Sequence, residues 1–225
     1  MAGERVVIPI EMGVARAFLL KGERSVLVDT GYRRAASRLF RGLQRAGVRP
    51  EDLALILITH GHDDHFGNIN RLRELSRAPV AIHRLDADSL RTGIGMALNP
   101  RGALGSILKL ILPTRRRPSI AGFEPEIIIG DELDLNPYGL QGRAIWTPGH
   151  TPGSVSVVLE NGEVIISDLL MGSVMTATAP SIAFWAWDEW KSRESVRKLL
   201  DLKPRVLYAT HGGPFPPAQV ARKYG

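Results

Sequence analysis

Residues 55–68 read Leu-Ile-Leu-Ile-Thr-His-Gly-His-Asp-Asp-His-Phe-Gly-Asn. The unbroken apolar run from Leu55 to Ile58 has the length and β-branching of a strand that is buried on both faces. A buried strand is rigid, so the loop after it can hold ligands to the tolerance that a metal needs. The residues that follow, through Leu75, have a helical pattern. The stretch therefore predicts a strand, a metal-binding loop and a helix, with four candidate ligands at His60, His62, Asp64 and His65.

The pattern H-x-H-x-D-H after a buried strand resembles the metal motif of the metallo-β-lactamase superfamily. The rest of that family's pattern occurs downstream in the same order: a histidine in a Gly/Pro turn, an aspartate ending a strand and a histidine after a final strand. These residues are His150 in 147–154, Asp168 after 165–167 and His211 after 206–210. Upstream, Asp29 in Val-Asp-Thr-Gly resembles the family's supporting aspartate. The resemblance spans about residues 5–213, and five of the six histidines fall on it.

This resemblance implies an α/β (α+β) fold, a four-layer αβ/βα sandwich. Two mixed β-sheets would pack face to face with helices outside and a metal cleft at one edge. It also implies two divalent metal ions, one held by His60, His62 and His150, a second by Asp64, His65 and His211, and both bridged by Asp168. Zinc is the expected metal, with iron or manganese as alternatives, because imidazole and carboxylate suit all three.

The implied reaction is attack by a metal-bridging hydroxide on an electrophilic carbonyl or phosphoryl centre. Paired ions about 3.5–4 Å apart lower the pKa of a shared water toward about 7. The residues expected to take part in catalysis are His60, Asp64 and Asp168, of which Asp64 would also orient the hydroxide. Ligating histidines normally donate their other ring N–H to a carboxylate or carbonyl, and Asp29 is the expected partner.

The composition restricts the chemistry. The 225 residues contain no cysteine, so disulfides, thiolate ligands and thiol nucleophiles are excluded. The net charge of +6 leaves three interpretations open: a solvated basic surface, attraction of an anionic small substrate, or a nucleic-acid partner. The nucleic-acid interpretation is disfavoured, because the one basic cluster, Arg115–Arg117, is accompanied by no nucleic-acid-binding motif.

Length and hydropathy predict the number of domains, the absence of membrane spans and the location of the chain. One domain over residues 1–225 is expected, and a homodimer is an open alternative. No run of about 18 apolar residues occurs, so we expect no membrane span. The apolar run after Arg5 is too short for a signal peptide, and a cytoplasmic location is the simplest expectation.

Hydrophobic periodicity predicts two β-rich halves, each flanked by helices. Asn161-Gly162 predicts a type I′ hairpin, and Asp188 is the expected N-cap of a helix from Trp187 to Leu202. The other strands are expected at 5–10, 14–20, 24–29, 79–83, 127–129, 133–135, 142–146, 154–159, 164–167 and 205–210, and helices at 33–46 and 86–90.

Residues 91–123 fit no strand pattern, and an inserted helical cap is the expectation. Leu104 to Leu112 is strongly apolar with Lys109 as its single charge. Three roles are open: a helix packed on the core, a lid or acyl-binding wall, or a contact with a membrane surface or second subunit.

Candidate pocket residues are less specific than the metal motif. His83 ends a predicted strand beside the cleft, where it either satisfies the fold or contacts a substrate. Trp185 and Trp187 follow the bridging Asp168, and they either pack in the core or form a wall of the substrate pocket.

Departures from the pattern narrow the choice of family member. Position 168 is Asp where β-lactamases of this fold commonly use Cys, and the Tyr that lactonases carry after the bridging Asp is replaced by Leu169, Leu170 and Met171. The turn at 147–154 is similar to that of glyoxalase II enzymes, but only fourteen residues follow His211, so we do not expect the C-terminal glutathione-binding domain of those enzymes. We therefore predict a glyoxalase II-like hydrolase of a small thioester, ester or lactone. The alternatives are a persulfide dioxygenase-like oxidoreductase with one iron on His60, His150 and Asp168, or a phosphodiesterase or nuclease.

Overall fold

The computed structural model describes residues 6–98, 117–173 and 178–225. The first sheet has the strand order β1-β2-β3-β4-β5-β6. The first three strands are antiparallel, whereas β3 to β6 are parallel. The strands are β1 Val7–Glu11, β2 Arg16–Lys21, β3 Ser25–Val28, β4 Leu53–Leu57, β5 Val80–His83 and β6 Ile127–Ile129.

The second sheet has the order β13-β10-β9-β8-β7, in which β10 and β13 are parallel and all other pairs are antiparallel. A separate two-stranded hairpin, β11 with β12, follows β10. The strands are β7 Glu132–Asp134, β8 Gly142–Trp146, β9 Val155–Leu159, β10 Glu163–Ser167, β11 Leu170–Gly172, β12 Pro180–Ile182 and β13 Val206–Ala209.

The helices of the described residues lie between these strands in the chain, except the last helix, which follows β13. Three short 3-10 turns lie at Arg33–Ala35, Pro50–Asp52 and Asn136–Tyr138. The α-helices are α1 Ala36–Arg45, α2 Asp63–Phe66, α3 Ile69–Ser76, α4 Ala87–Thr92, α5 Glu189–Asp201 and α6 Pro217–Tyr224. Among the described residues no helix is both long and apolar enough to cross a membrane.

Alternation along the strands produces four layers. On β4, Ile56 faces the cluster shared with α1 and α3, whereas Leu55 and Leu57 face the second sheet. On the second sheet, Ile165 joins the cluster between the sheets, and Ile166 joins the cluster under α5 and α6. Because side chains on a strand point to alternate faces, each sheet buries one face on the other sheet and one on helices. The prediction of an αβ/βα sandwich is therefore confirmed.

Several local predictions need correction. The helix predicted to run through Leu75 breaks between α2 and α3, at Gly67 and Asn68. The hairpin between β9 and β10 forms as predicted, but its turn is not type I′. Gly162 has φ +82° while Asn161 has no positive φ, so Gly162 takes the left-handed position alone.

Most of the predicted cap at 91–123 lies outside the described residues. Residues 99–116 are not described, so the helical character predicted for them stays a prediction. Within the described part, α4 ends at Thr92, and residues 93–98 and 117–123 form no helix.

Candidate metal centre

The predicted ligands lie in loops that follow the carboxyl ends of strands. β8, β10 and β13 run in the same direction in the second sheet, so their carboxyl ends meet at one edge. The loop after β4 in the first sheet reaches the same edge, where the Val155 N–H donates to the Thr59 carbonyl at 2.9 Å. The ligand candidates are His60, His62, Asp64 and His65 after β4, His150 after β8, Asp168 after β10 and His211 after β13.

Three imidazoles form the first group. His60 Nε2 and His150 Nε2 each lie 3.0 Å from His62 Nδ1, and all three side chains are buried. Tetrahedral zinc with nitrogen ligands at about 2.0–2.1 Å needs those nitrogens about 3.4 Å apart. An expansion of a few tenths of an ångström would therefore admit an ion, so the three nitrogens fit a divalent metal.

The neutral state that metal binding requires is favoured at all three rings. Burial lowers the pKa of His62 to about 4 and that of His150 to about 3. Burial, and then the neighbouring His65, lower the pKa of His60 well below its usual range. The backbone of Ala97 lies against the His62 ring and partly opposes this lowering of its pKa.

The second group combines carboxylates with two further histidines. His211 Nε2 lies 3.4 Å from an Asp64 oxygen and 3.4 Å from Asp168 Oδ2. His65 Nε2 lies 3.8 Å from Asp64 and 3.5 Å from the same Asp168 oxygen. These distances are longer than hydrogen bonds and leave room among the four side chains.

Asp168 lies between the two groups. Its Oδ2 is also 3.7 Å from His150 Nε2, so this one oxygen faces ring nitrogens from both sets. In the described part of the chain, buried His65 Nε2 and Asp168 Oδ1 have no hydrogen-bond partner. Because an unpartnered buried polar atom is costly, these orphaned atoms agree with a donor set built for metal.

Charge compensation differs between the groups. Burial opposes protonation of His211, but Asp168 and Asp64 outweigh it and raise its pKa to about 10. Burial likewise opposes protonation of His65, yet Asp29, Asp64 and Asp168 raise its pKa well above the usual range. Burial of Asp64 is outweighed by His65 and His211, which lower its pKa to about 2. Without metal, the second group therefore balances its carboxylates with protons on histidine.

Asp29 supports the loop after β4 and the ring of His65. Its Oδ2 accepts the His65 Nδ1–H at 2.8 Å, and its Oδ1 accepts the Thr59 backbone N–H at 2.8 Å. The Thr59 hydroxyl donates to the same carboxylate at 2.8 Å. These bonds leave His65 Nε2 facing Asp64 and Asp168.

The backbone is strained on both sides of this network. Asp29 has φ +61°, and Ser167, which directly precedes Asp168, has φ +47°. The Ser167 and Thr59 hydroxyl oxygens are 2.7 Å apart, which joins the two strained positions. Left-handed backbone at residues other than glycine persists where surrounding contacts require it, and it is concentrated at functional sites.

His211 is oriented by the opposite end of the chain. Its Nδ1–H donates to the Val14 carbonyl at 2.8 Å, which leaves Nε2 toward the carboxylates. Arg16 donates to the carbonyl of Gly212 and pairs with Glu11 at 2.6 Å. The turn between β1 and β2 therefore fixes the last predicted ligand.

The sequence marks Asp86 only as the start of a short helix, yet the structure places it beside the ligand loops. Its carboxylate is buried and accepts hydrogen bonds from the Gly61 N–H, the Thr151 hydroxyl and the Gly153 N–H. Burial raises the pKa of Asp86. No spacing or family motif distinguishes this aspartate, because its partners are mostly backbone groups of distant loops.

The candidate pocket residues occupy different environments. His83 is fully buried, and its ring stacks on Trp146 with centroids 5.5 Å apart. Trp187 is 45% exposed, and its backbone N–H donates to the His150 carbonyl at 2.9 Å. Trp185 is partly buried and lies against Phe184, with ring centroids 4.9 Å apart. Trp187 thus borders the ligand turn, whereas His83 lies in the interior.

A family model for the metallo-beta-lactamase superfamily matches residues 12–211, which include all seven ligand candidates. The chain belongs to the metallo-β-lactamase superfamily. This confirms the family predicted from the sequence; the glyoxalase II-like subtype stays a prediction.

Relatives of this metallo-β-lactamase superfamily chain are similar over most of its length. It is 29% identical to the probable metallo-hydrolase YqgX of Bacillus subtilis, over 67% of this chain and 62% of that protein. It is 28% identical to the probable metallo-hydrolase YflN of the same organism, over 84% of this chain and 76% of that protein. The chain therefore matches less than two thirds of the length of YqgX.

Solved structures of similar fold agree with the layered architecture. The Rm3 metallo-beta-lactamase is 23% identical with a TM-score of 0.66, and the match covers 92% of this chain and 76% of that one. A metallo-beta-lactamase family protein of Thermus thermophilus is 26% identical with a TM-score of 0.66, covering 96% of this chain and 76% of that one.

Proposed function

We propose that this superfamily member is a hydrolase that uses two divalent metal ions, with zinc as the expected metal, on a small thioester, ester or lactone. The observation that supports it is the convergence of two ligand groups on one oxygen of Asp168, at 3.4–3.7 Å from three histidine nitrogens. The names of its relatives as probable metallo-hydrolases agree with this reaction type.

The proposed ligand assignment follows the two groups. His60, His62 and His150 would hold one ion, Asp64, His65 and His211 the second, and Asp168 would contact both. Divalent ions bound there would lower the pKa of water and polarise the substrate carbonyl. The pKa values of His62 and His150, lowered by burial, keep both rings free to act as ligands at neutral pH.

The surrounding side chains divide the remaining tasks. The Asp64 side chain is 38% exposed whereas Asp168 is 6% exposed, so Asp64 is the carboxylate available to orient a water molecule from the cleft. Asp29 and the Val14 carbonyl accept the Nδ1–H groups of His65 and His211, which fixes which ring nitrogen each presents.

The rim supports a small organic substrate. Trp187 is exposed next to the His150 turn, and Val14 is 77% exposed next to the carbonyl that holds His211. Both are apolar side chains beside proposed ligands, and they would contact the apolar part of a substrate whose carbonyl reacts.

The persulfide dioxygenase alternative needs one iron on His60, His150 and Asp168. The assembly of Asp64, His65 and His211 within ligand distance of one another favours the two-ion hydrolase, because a single-iron centre leaves that set without a use.

The test begins with metal content per chain, measured by mass spectrometry on untagged protein. Two zinc or manganese ions per chain, with turnover of thioesters, esters or lactones in a substrate panel, are expected. His62→Ala should abolish one equivalent and the turnover. One iron per chain with oxygen uptake on glutathione persulfide would contradict the hydrolase and establish the alternative.

A further inference from the structure

Asp86 occupies a helix N-cap position but does not cap its helix. Aspartate at an N-cap normally accepts a hydrogen bond from a backbone N–H of the first helical turn. At the start of α4 the Asp86 side chain makes no such bond. Its carboxylate is instead turned toward two loops that contain histidines of the three-imidazole group.

The two carboxylate oxygens join those loops directly. Oδ2 accepts the Gly61 N–H at 2.8 Å and the Thr151 hydroxyl at 2.7 Å. Oδ1 accepts the Gly153 N–H at 2.8 Å. Gly61 lies between His60 and His62, and Thr151 follows His150, so one oxygen links the loops of all three imidazoles.

The fit around this carboxylate is close. A Cβ added at Gly153 would lie 2.4 Å from Asp86 Oδ1, and one added at Gly61 would lie 2.3 Å from the Ser89 hydroxyl. Both glycines therefore allow the loop backbones to approach α4. Asp86 itself is 1% exposed, and it forms no ion pair with any described residue.

A buried, unpaired carboxylate is costly, and three neutral donors offset only part of that cost. The three donors fix where each of the two loops lies relative to the Asp86 carboxylate. Its geometric effect is to hold the loops at the separation that brings His62 Nδ1 and His150 Nε2 to 3.0 Å.

We propose that Asp86 is a positioning residue that sets the spacing of the three-histidine group and thereby its affinity for metal. The inference rests on the proposed metal centre. Asp86 acts through the hydrogen bonds that its carboxylate accepts from Gly61, Thr151 and Gly153, and it touches neither the ion nor the substrate. Groups that hydrogen-bond directly to ligand side chains typically change metal affinity 10–100-fold when they are removed, and we expect an effect in this range from the loops that Asp86 holds.

The experiment measures zinc affinity by competition with a chromogenic chelator, together with urea unfolding of each metal-free variant. Asp86→Asn keeps the shape but replaces one acceptor by an amide N–H₂ that faces a donor. We expect it to lower the affinity for the zinc ion held by the three-imidazole group 10–100-fold. Cobalt substituted into the same variant should show an altered ligand-field spectrum, which a loss of stability alone would not produce.

Glu163→Gln is the matched control. Glu163 is also a buried carboxylate that accepts neutral donors, the Tyr208 hydroxyl at 2.9 Å and the Asn161 amide at 2.8 Å. It lies at the other end of β10 from Asp168. The Glu163→Gln variant should lose about as much stability as Asp86→Asn does. It should retain the zinc affinity and cobalt spectrum of the unmodified protein.

Thr151 provides a second pair of variants that leaves Asp86 in place. Thr151→Val removes one bond to the carboxylate and should lower zinc affinity, whereas Thr151→Ser keeps the hydroxyl and should not. Unchanged affinity and spectrum in both Asp86→Asn and Thr151→Val would overturn the inference while leaving the hydrolase proposal intact. Failure of the unmodified protein to bind divalent metal would overturn both.

Discussion

At the scale of single residues, the two ligand groups differ in how strongly protons compete with metal. His211 has a pKa raised to about 10 by Asp168 and Asp64 against the effect of burial, so it is protonated at neutral pH. His62 and His150, with pKa values lowered to about 4 and 3 by burial, are already neutral there. A metal ion would therefore have to displace protons from the second group but not from the first.

This difference predicts two pH dependences. The affinity of the second metal equivalent should rise at least tenfold per pH unit from pH 6 to 8.5, because His211 binds metal only after it loses its proton and the pKa of His65 is raised as well. The affinity of the first equivalent should stay nearly constant over the same range. Competition titrations in buffers of constant ionic strength measure both, and equal slopes for the two equivalents would contradict the assignment.

Trp187 gives a residue-scale prediction about the substrate. Because this side chain is 45% exposed beside the His150 turn, Trp187→Ala should raise KM several-fold and change the free energy of unfolding little. Trp190→Ala is the matched control, since Trp190 is 66% exposed and its indole N–H donates to Glu194. The measurement is KM from steady-state kinetics of both variants. Equal KM values would place Trp187 outside the pocket.

All seven ligand candidates could be predicted from the sequence because each follows an apolar run in a recognisable motif. The role of Asp86 and the contact between Ala97 and His62 could not be predicted in this way. Their partners are backbone groups brought near by folding, and hydrogen bonds to backbone leave no pattern in residue type. Sequence alone also did not show that His83 would be enclosed, because a strand end beside a cleft faces either solvent or interior.

At the scale of secondary structure, α5 links stability to the His150 turn. Asp188 caps this helix by accepting the Lys191 N–H at 3.1 Å, and its own N–H donates to the Gly149 carbonyl at 2.9 Å. Asp188→Ala should lower the free energy of unfolding by about 1 kcal/mol in urea titrations, because the first turn loses its side-chain acceptor.

Asp201→Ala is the control at the other end of the same helix. Removing a negative charge from the carboxyl-terminal end should leave stability unchanged or slightly increased. If both variants lost the same free energy, general loss of helical stability rather than capping would be the cause.

Most strands and helices could be predicted because each contains enough apolar residues, at regular spacing, to show the period of a strand or a helix. The N-terminal meander, the strand at β4 and helix α5 agree with their predictions within a few residues. The hairpin of β11 and β12 has three residues in each strand, too few for a period to be seen. Helix α6 buries only Val220 and Tyr224. Two apolar residues are too few to indicate a helix, and the prolines that precede them suggest a turn.

At the scale of the whole molecule, metal should stabilise the fold. The proposed ligands come from four separate loops of both sheets, so the unfolded chain cannot offer them together. Metal that binds only the native state at about 100 times its Kd adds about 2.7 kcal/mol per site.

Chelation should accordingly lower the midpoint of urea unfolding without changing its m-value. Readdition of zinc should restore the midpoint, whereas magnesium, which prefers oxygen ligands, should not. Identical midpoints with and without chelator would contradict a metal centre that joins the two sheets.

The hydrogen bond from His211 to Val14 spans 197 positions of the chain. Contacts of such sequence separation close large loops, and proteins that depend on them fold slowly. Because the proposed ligands come from both sheets, we expect the centre to be complete only after the sheets have docked, beyond the folding transition state. An interaction absent from the transition state slows unfolding and leaves the folding rate unchanged. Bound zinc would then give this protein kinetic stability: it would lower the unfolding rate and extend the lifetime of molecules already folded.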